Sequence, residues 1–241
     1  MGYGVLQITF NLVFSPLTVL AFVSEAYVPI LSAFMAADSY SMEMRSGYLN
    51  WQRATAGGGA AVYFAKLLAM FVFNAANVLA LFLASLAFAL LLPVGGLSAA
   101  QICEALVAYA VTVVPVMAMT AMFAFVAALF KSRFAAIFAG AALYIGARAA
   151  GLASNAVSGA SFLSYVQWHV LWTGGMLPAP KLANIFLMLL SATAVFASAG
   201  YIAMELRAGS LAGAEGRGPD GKRPWRQAAA KGNGRSGNRQ G

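Results

Sequence analysis

Asp38, Glu43, Arg45 and Arg53 make a polar island with Gly47, Tyr48, Leu49 and Trp51, and Lys66 closes it on the C-terminal side. Around the island, charge almost vanishes. From Met1 to Ala37 the only Asp, Glu, Lys or Arg is Glu25, and from Leu67 to Leu92 there is none. Hydrocarbon cannot solvate such groups, so the island must lie in water or against a protein partner. Its residue types suit docking: aromatic and aliphatic anchors within a charged rim are what protein interfaces use. The alternative is an ordinary loop between two helices.

Other chemistry is sparse. His169 is the single histidine, so zinc sites built on paired histidines are excluded. Cys103 is the single cysteine, which excludes an internal disulfide or a cysteine cluster and leaves the redox compartment open. Glu25 and Glu104 sit in or at the edge of apolar runs, where an ionisable group is a functional candidate. Glu25 is open between a packing and a pathway role, and Glu104 reads as an interfacial residue at a span start. Asn74 and Asn77, three apart in an apolar run, should face one neighbouring helix as hydrogen-bonding glue or as part of a pathway. A membrane-integral enzyme acting on lipid would have to draw on Glu25, Glu104 or His169, and a non-catalytic membrane anchor or assembly factor would instead use the basic residues after Arg207.

Two nucleotide fingerprints fail. Residues 216–223 nearly spell a phosphate-binding loop, but Arg223 replaces the hydroxyl that would hold magnesium. Residues 232–237 spell G-x-G-x-x-G with no strand before them and no helix after. The chain is expected to hold no cofactor of its own.

The elements that must position these residues are membrane spans. The chain is 61% hydrophobic and 9% charged, against about 25% charged for an ordinary soluble domain. Apolar runs at about 60–92, 104–130, 134–151 and 184–205 are suited to crossing roughly 30 Å of hydrocarbon. The N-terminal run holds Pro16, Glu25 and Pro29, and reads as one span at about 16–37 preceded by a partial or shortened one. The fold class is therefore all-α, a polytopic helical membrane protein of five to six spans with a short cytoplasmic helix after the first full one. No cleavable leader is expected, because no basic stretch precedes the apolar run.

Loop charges set the orientation. Arg45 and Arg53, then Lys131 and Arg133, then the basic tail fall on one side if the spans alternate, and only Arg148 and Lys181 fall on the other. The positive-inside rule makes the first set cytoplasmic. Of the formal charge of +8, most belongs to the last 35 residues, which carry Arg207, Arg217, Lys222, Arg223, Arg226, Lys231, Arg235 and Arg239. Residues 208–241 read as a disordered cytoplasmic tail that attracts anionic lipid, without the folded platform that nucleic-acid recognition needs. On the opposite side, Phe162, Tyr165, Trp168 and Trp172 suggest an interfacial helix with an aromatic, membrane-anchoring face.

In the order of these features the chain resembles the ABC-2 type permeases, the membrane subunits of many ATP-binding-cassette transporters. Asp38, Glu43 and Gly47 match the acidic and glycine positions of that family's cytoplasmic segment, and Lys66 stands where a lysine opens its next span. Residues 130–136, Phe-Lys-Ser-Arg-Phe-Ala-Ala, are similar to its short basic turn, and residues 203–207 to its charged exit from the last span. Tyr48 stands where threonine is usual, and the proline expected near Thr55 is absent. The resemblance covers roughly 16–207 and implies a permease domain over 1–207. It implies a coupling helix through which Asp38, Glu43, Arg45, Gly47, Tyr48, Leu49, Trp51 and Arg53 meet a separate ATPase subunit. ATP and magnesium would sit on that partner, and a second permease chain, identical or related, would complete the path across the cell membrane.

Overall fold

The computed structural model describes residues 16–46, 48, 51–52, 58–91, 98–153, 161–173 and 178–215. Among them there is no strand. Five helices are long and apolar enough to cross a membrane: α1 (Pro16–Met42), α2 (Gly59–Leu91), α3 (Ala99–Leu129), α4 (Arg133–Ala153) and, after a short helix α5 (His169–Thr173), α6 (Ala179–Glu215). The five expected spans are all present. The partial span placed before residue 16 lies outside the described residues. Helix α6 continues to Glu215, past the expected start of the tail, and residues 216–241 also lie outside the described set.

Helix α3 is the axis of the bundle. Two thirds of its apolar span is buried, 67% against 17–44% for the other four, so it is the span most enclosed by its neighbours. Small residues make that possible: Ala118, Ala121, Ala124, Ala127 and Ala128 let neighbouring helices approach closely. A capping box opens the helix, with the Ser98 hydroxyl accepting from the Gln101 N–H and the Gln101 side chain accepting from the Ser98 N–H.

Two prolines interrupt the spans, and a neighbour repairs each break. Proline has no N–H, so the carbonyl four residues earlier loses its helical partner. For Pro115 in α3 that carbonyl belongs to Val111, and it accepts the indole N–H of Trp168 at 2.7 Å. For Pro29 in α1 it belongs to Glu25, and it accepts the Tyr144 hydroxyl at 2.8 Å. The ring of Pro29 also crowds the preceding turn, which accounts for the π-helical stretch Val23–Tyr27 just before it. A second π-helical stretch, Ala37–Met42, ends α1, and one further α turn, Glu43–Ser46, follows.

Trp168 therefore differs in role from the surface anchor its sequence context suggests. It is buried against Ala118, Ile185 and Leu189, with Trp172 edge-on at 5.6 Å and more exposed. The segment from Phe162 to Thr173 reaches into the bundle from the end where α4 finishes and packs against α3 and α6 rather than lying along the surface. That end, with Trp168, is termed the aromatic end. The opposite one, with Lys66, Lys131, Arg133 and Arg207, is the basic end.

Candidate functional site at the basic end

At the basic end, the last turns of α1 are tied to three other helices by consecutive side chains. Asp38 pairs with Arg133 of α4, with Arg133 Nε 2.8 Å from Asp38 Oδ1. Arg133 also lies over the Phe34 ring at 5.9 Å. Glu43 pairs with Lys66 of α2, and the same ammonium donates to the Ser39 carbonyl at 3.2 Å. Tyr40 is fully buried and donates to the Tyr63 carbonyl of α2 at 3.0 Å, with the two rings 5.1 Å apart. Ser41 donates to the Ala127 carbonyl of α3 at 2.8 Å.

The Ser41 contact has a physical reason in α3. The last four carbonyls of a helix lack intrahelical donors, and its C-terminus carries partial negative charge. Ser41 supplies a donor to Ala127, and Arg207 of α6 supplies a charged one to Ala128 at 2.6 Å. The C-terminus of the central helix is thus capped by side chains from the first and last spans.

Tyr48, Trp51 and Gln52 are helical; the Tyr48 and Trp51 rings stack at 5.5 Å and 21°, exposed by 49% and 60%. Arg45 belongs to the α turn Glu43–Ser46 that follows α1, but its side chain, like Gly47, Leu49 and Arg53, lies outside the described residues. Re-entry into α2 passes through Gly58 at φ +137°, a backbone conformation that side chains rarely adopt.

The remaining expected residues lie elsewhere. Asn74 and Asn77 do face one neighbour, α1. Asn74 is buried and donates to Ser32 at 3.0 Å and to Thr120 of α3 at 2.8 Å, while Asn77 accepts from Tyr27 at 3.4 Å. Glu25 is at the aromatic end, paired with Arg148 of α4 and accepting from Gln167 at 2.7 Å. Glu104 is exposed, one turn into α3. His169 is buried with Nδ1 3.4 Å from the Thr112 hydroxyl, and burial pushes its pKa down to about 4, so it is neutral at ordinary pH.

The sequence singled out Glu25 and Asp38 but not their partners. The two acids are 13 residues apart on α1 and Arg133 and Arg148 are 15 apart on α4, rises of about 20 Å that set both pairs level between antiparallel neighbours, but nothing in the sequence says that α1 and α4 are neighbours. Both acids fall in π-helical turns. Among the described residues no group of three or more His, Cys, Asp or Glu could hold a metal ion. Comparison with family models, curated proteins and solved structures found no match to this chain. Fold and composition define an all-α, polytopic helical membrane protein.

Proposed function

We propose that this chain is the permease subunit of an ABC transporter of the ABC-2 type, moving substrate across the cell membrane while a separate ATPase subunit supplies the energy. One observation carries the reading. The exposed Tyr48–Trp51 stack leads directly into the α1 terminus, which Asp38, Glu43 and Ser41 tie to α4, α2 and α3. A force applied at Trp51 therefore reaches four spans through short polar contacts, as rigid-body rocking requires. The basic end faces the cytoplasm in this reading, where Lys131, Arg133 and the tail meet anionic lipid. Two copies, or this chain and a related one, line the path, and export is the direction.

Co-purification tests it. The tagged full-length chain should bring down a nucleotide-binding subunit, and Tyr48→Ala with Trp51→Ala should weaken binding of that subunit by about 30-fold, the equivalent of one interface hot spot of about 2 kcal/mol. A purified chain that carries no ATPase refutes the proposal. ATP-driven transport that survives both substitutions refutes the assignment of Tyr48 and Trp51 as the coupling surface.

A further inference from the structure

An apolar groove runs between α1 and α4 from Phe34, toward the basic end, to Glu25 toward the aromatic end, where the carboxylate at its border is paired with Arg148. Its depth comes from small residues, Ala26 and Ala33 on α1 and Ala141 on α4; Phe123 of α3 forms the floor, and Ile30 and Ile145 form exposed rims. The cavity is about 210 Å³, below the roughly 300–1,000 Å³ of pockets that enclose a whole small molecule. It therefore fits part of one hydrocarbon chain, with the rest of the ligand outside. At the opposite end of the groove stands Phe34, with Arg133 over its ring.

The polar terminus supplies the other half of the recognition. Glu25 borders the groove, and its side chain is 44% exposed, while that of its partner Arg148 is 26% exposed. The Glu25 oxygens each have one named partner, Arg148 and Gln167, and an ionised carboxylate has about four acceptor positions. Arg148 also donates to the Leu163 carbonyl at 3.3 Å, and its five N–H groups exceed those two contacts. Open acceptor capacity thus stands beside open donor capacity. Arg148 lies five residues, about 7 Å, before the C-terminal end of α4 at Ala153.

We propose that this groove binds a membrane phospholipid with a primary-amine headgroup. One acyl chain lies along Ala26, Ala33 and Ala141, the ammonium donates to Glu25, and the phosphate accepts from Arg148. A zwitterion matches both charges at once, whereas a purely anionic headgroup meets Glu25 with repulsion. The site does not depend on what drives the protein.

Native mass spectrometry of the full-length chain in detergent tests this with phosphatidylethanolamine, phosphatidylglycerol and phosphatidylcholine of matched chains. The amine lipid should bind about tenfold more tightly than the glycerol lipid, with the choline lipid, which lacks N–H donors, between them. Ala141→Leu, remote from the ion pair, should weaken all three lipids by about tenfold. Glu25→Gln should erase the headgroup preference while chain binding persists. If Glu25→Gln unfolds the protein, the neutral pair Glu25→Gln with Arg148→Gln replaces it, with the same expectation. Equal binding of amine and glycerol lipids overturns the proposal, as does a preference that survives loss of Glu25. Binding indifferent to Ala141→Leu, water-soluble glycerophosphoethanolamine competing as well as the lipid, or a dimer in the spectra that Ala141→Leu disrupts would each overturn it too.

Discussion

Replacing Trp168 by Phe should expose how the bundle tolerates Pro115. The substitution keeps an aromatic ring and removes the N–H that reaches the Val111 carbonyl at 2.7 Å. That carbonyl has already lost its helical donor to Pro115, and Trp168 is 1% exposed, so water does not replace the indole. An unsatisfied buried acceptor costs about 1–3 kcal/mol, and hydrogen bonds inside membrane bundles fall toward the lower part of that range. Losing ring volume adds to the total, so the single variant alone does not isolate the bond. A double-mutant cycle with Pro115→Ala does. Alanine restores the N–H that can reach Val111, making the indole donor redundant. Trp168→Phe should therefore cost about 1 kcal/mol less in the Pro115→Ala background than in the native one, read by equilibrium unfolding in mixed micelles. Costs equal within about 0.3 kcal/mol in both backgrounds would refute the reasoning.

Other outcomes follow from the same geometry. A Cβ at Gly200 would stand 2.1 Å from the Tyr63 hydroxyl and 3.1 Å from the Phe125 backbone, so Gly200→Ala should destabilise by about 1–3 kcal/mol. Tyr63→Phe should recover part of that loss and be near neutral alone, because the Tyr63 hydroxyl is buried without a hydrogen-bond partner; rescue is read by the same unfolding assay. Acid should weaken the packing at the aromatic end. The folded pKa of His169, about 4, lies below the unfolded value near 6.5, so the unfolded chain binds more protons between them and stability falls as pH drops through that window. His169→Gln should flatten this dependence; an unchanged pH profile would contradict it. Cys103, exposed in the second turn of α3 at the aromatic end, should react with a membrane-impermeant maleimide on intact cells, and labelling only after permeabilisation would invert the proposed orientation.

The spans were legible because a membrane imposes a length and an apolar composition that the chain meets in blocks. The island was legible because its charges interrupt those blocks. What joins the blocks was less so. Arg133 and Arg148 looked like loop charges, useful for orientation, yet each closes an ion pair with α1. Trp168 has the composition of an interfacial anchor, and only the three-dimensional placement of Pro115 shows why its N–H is needed inside. Asn74 and Asn77 were readable as a pair because helical spacing alone directs both toward one neighbour, while Ser32 and Thr120, on separate spans, carry no local sign that they meet Asn74. Periodicity records which face a residue occupies. It does not record which helix lies opposite.

The proposed function turns on the surface at Tyr48 and Trp51. A photo-crosslinking amino acid placed at Trp51, and separately at Trp172 on the opposite end, in the full-length chain expressed in its own host measures that surface directly. The account expects position 51 to capture a nucleotide-binding subunit and position 172 to capture none. A crosslinked ATPase at position 172, or none at position 51, would contradict it.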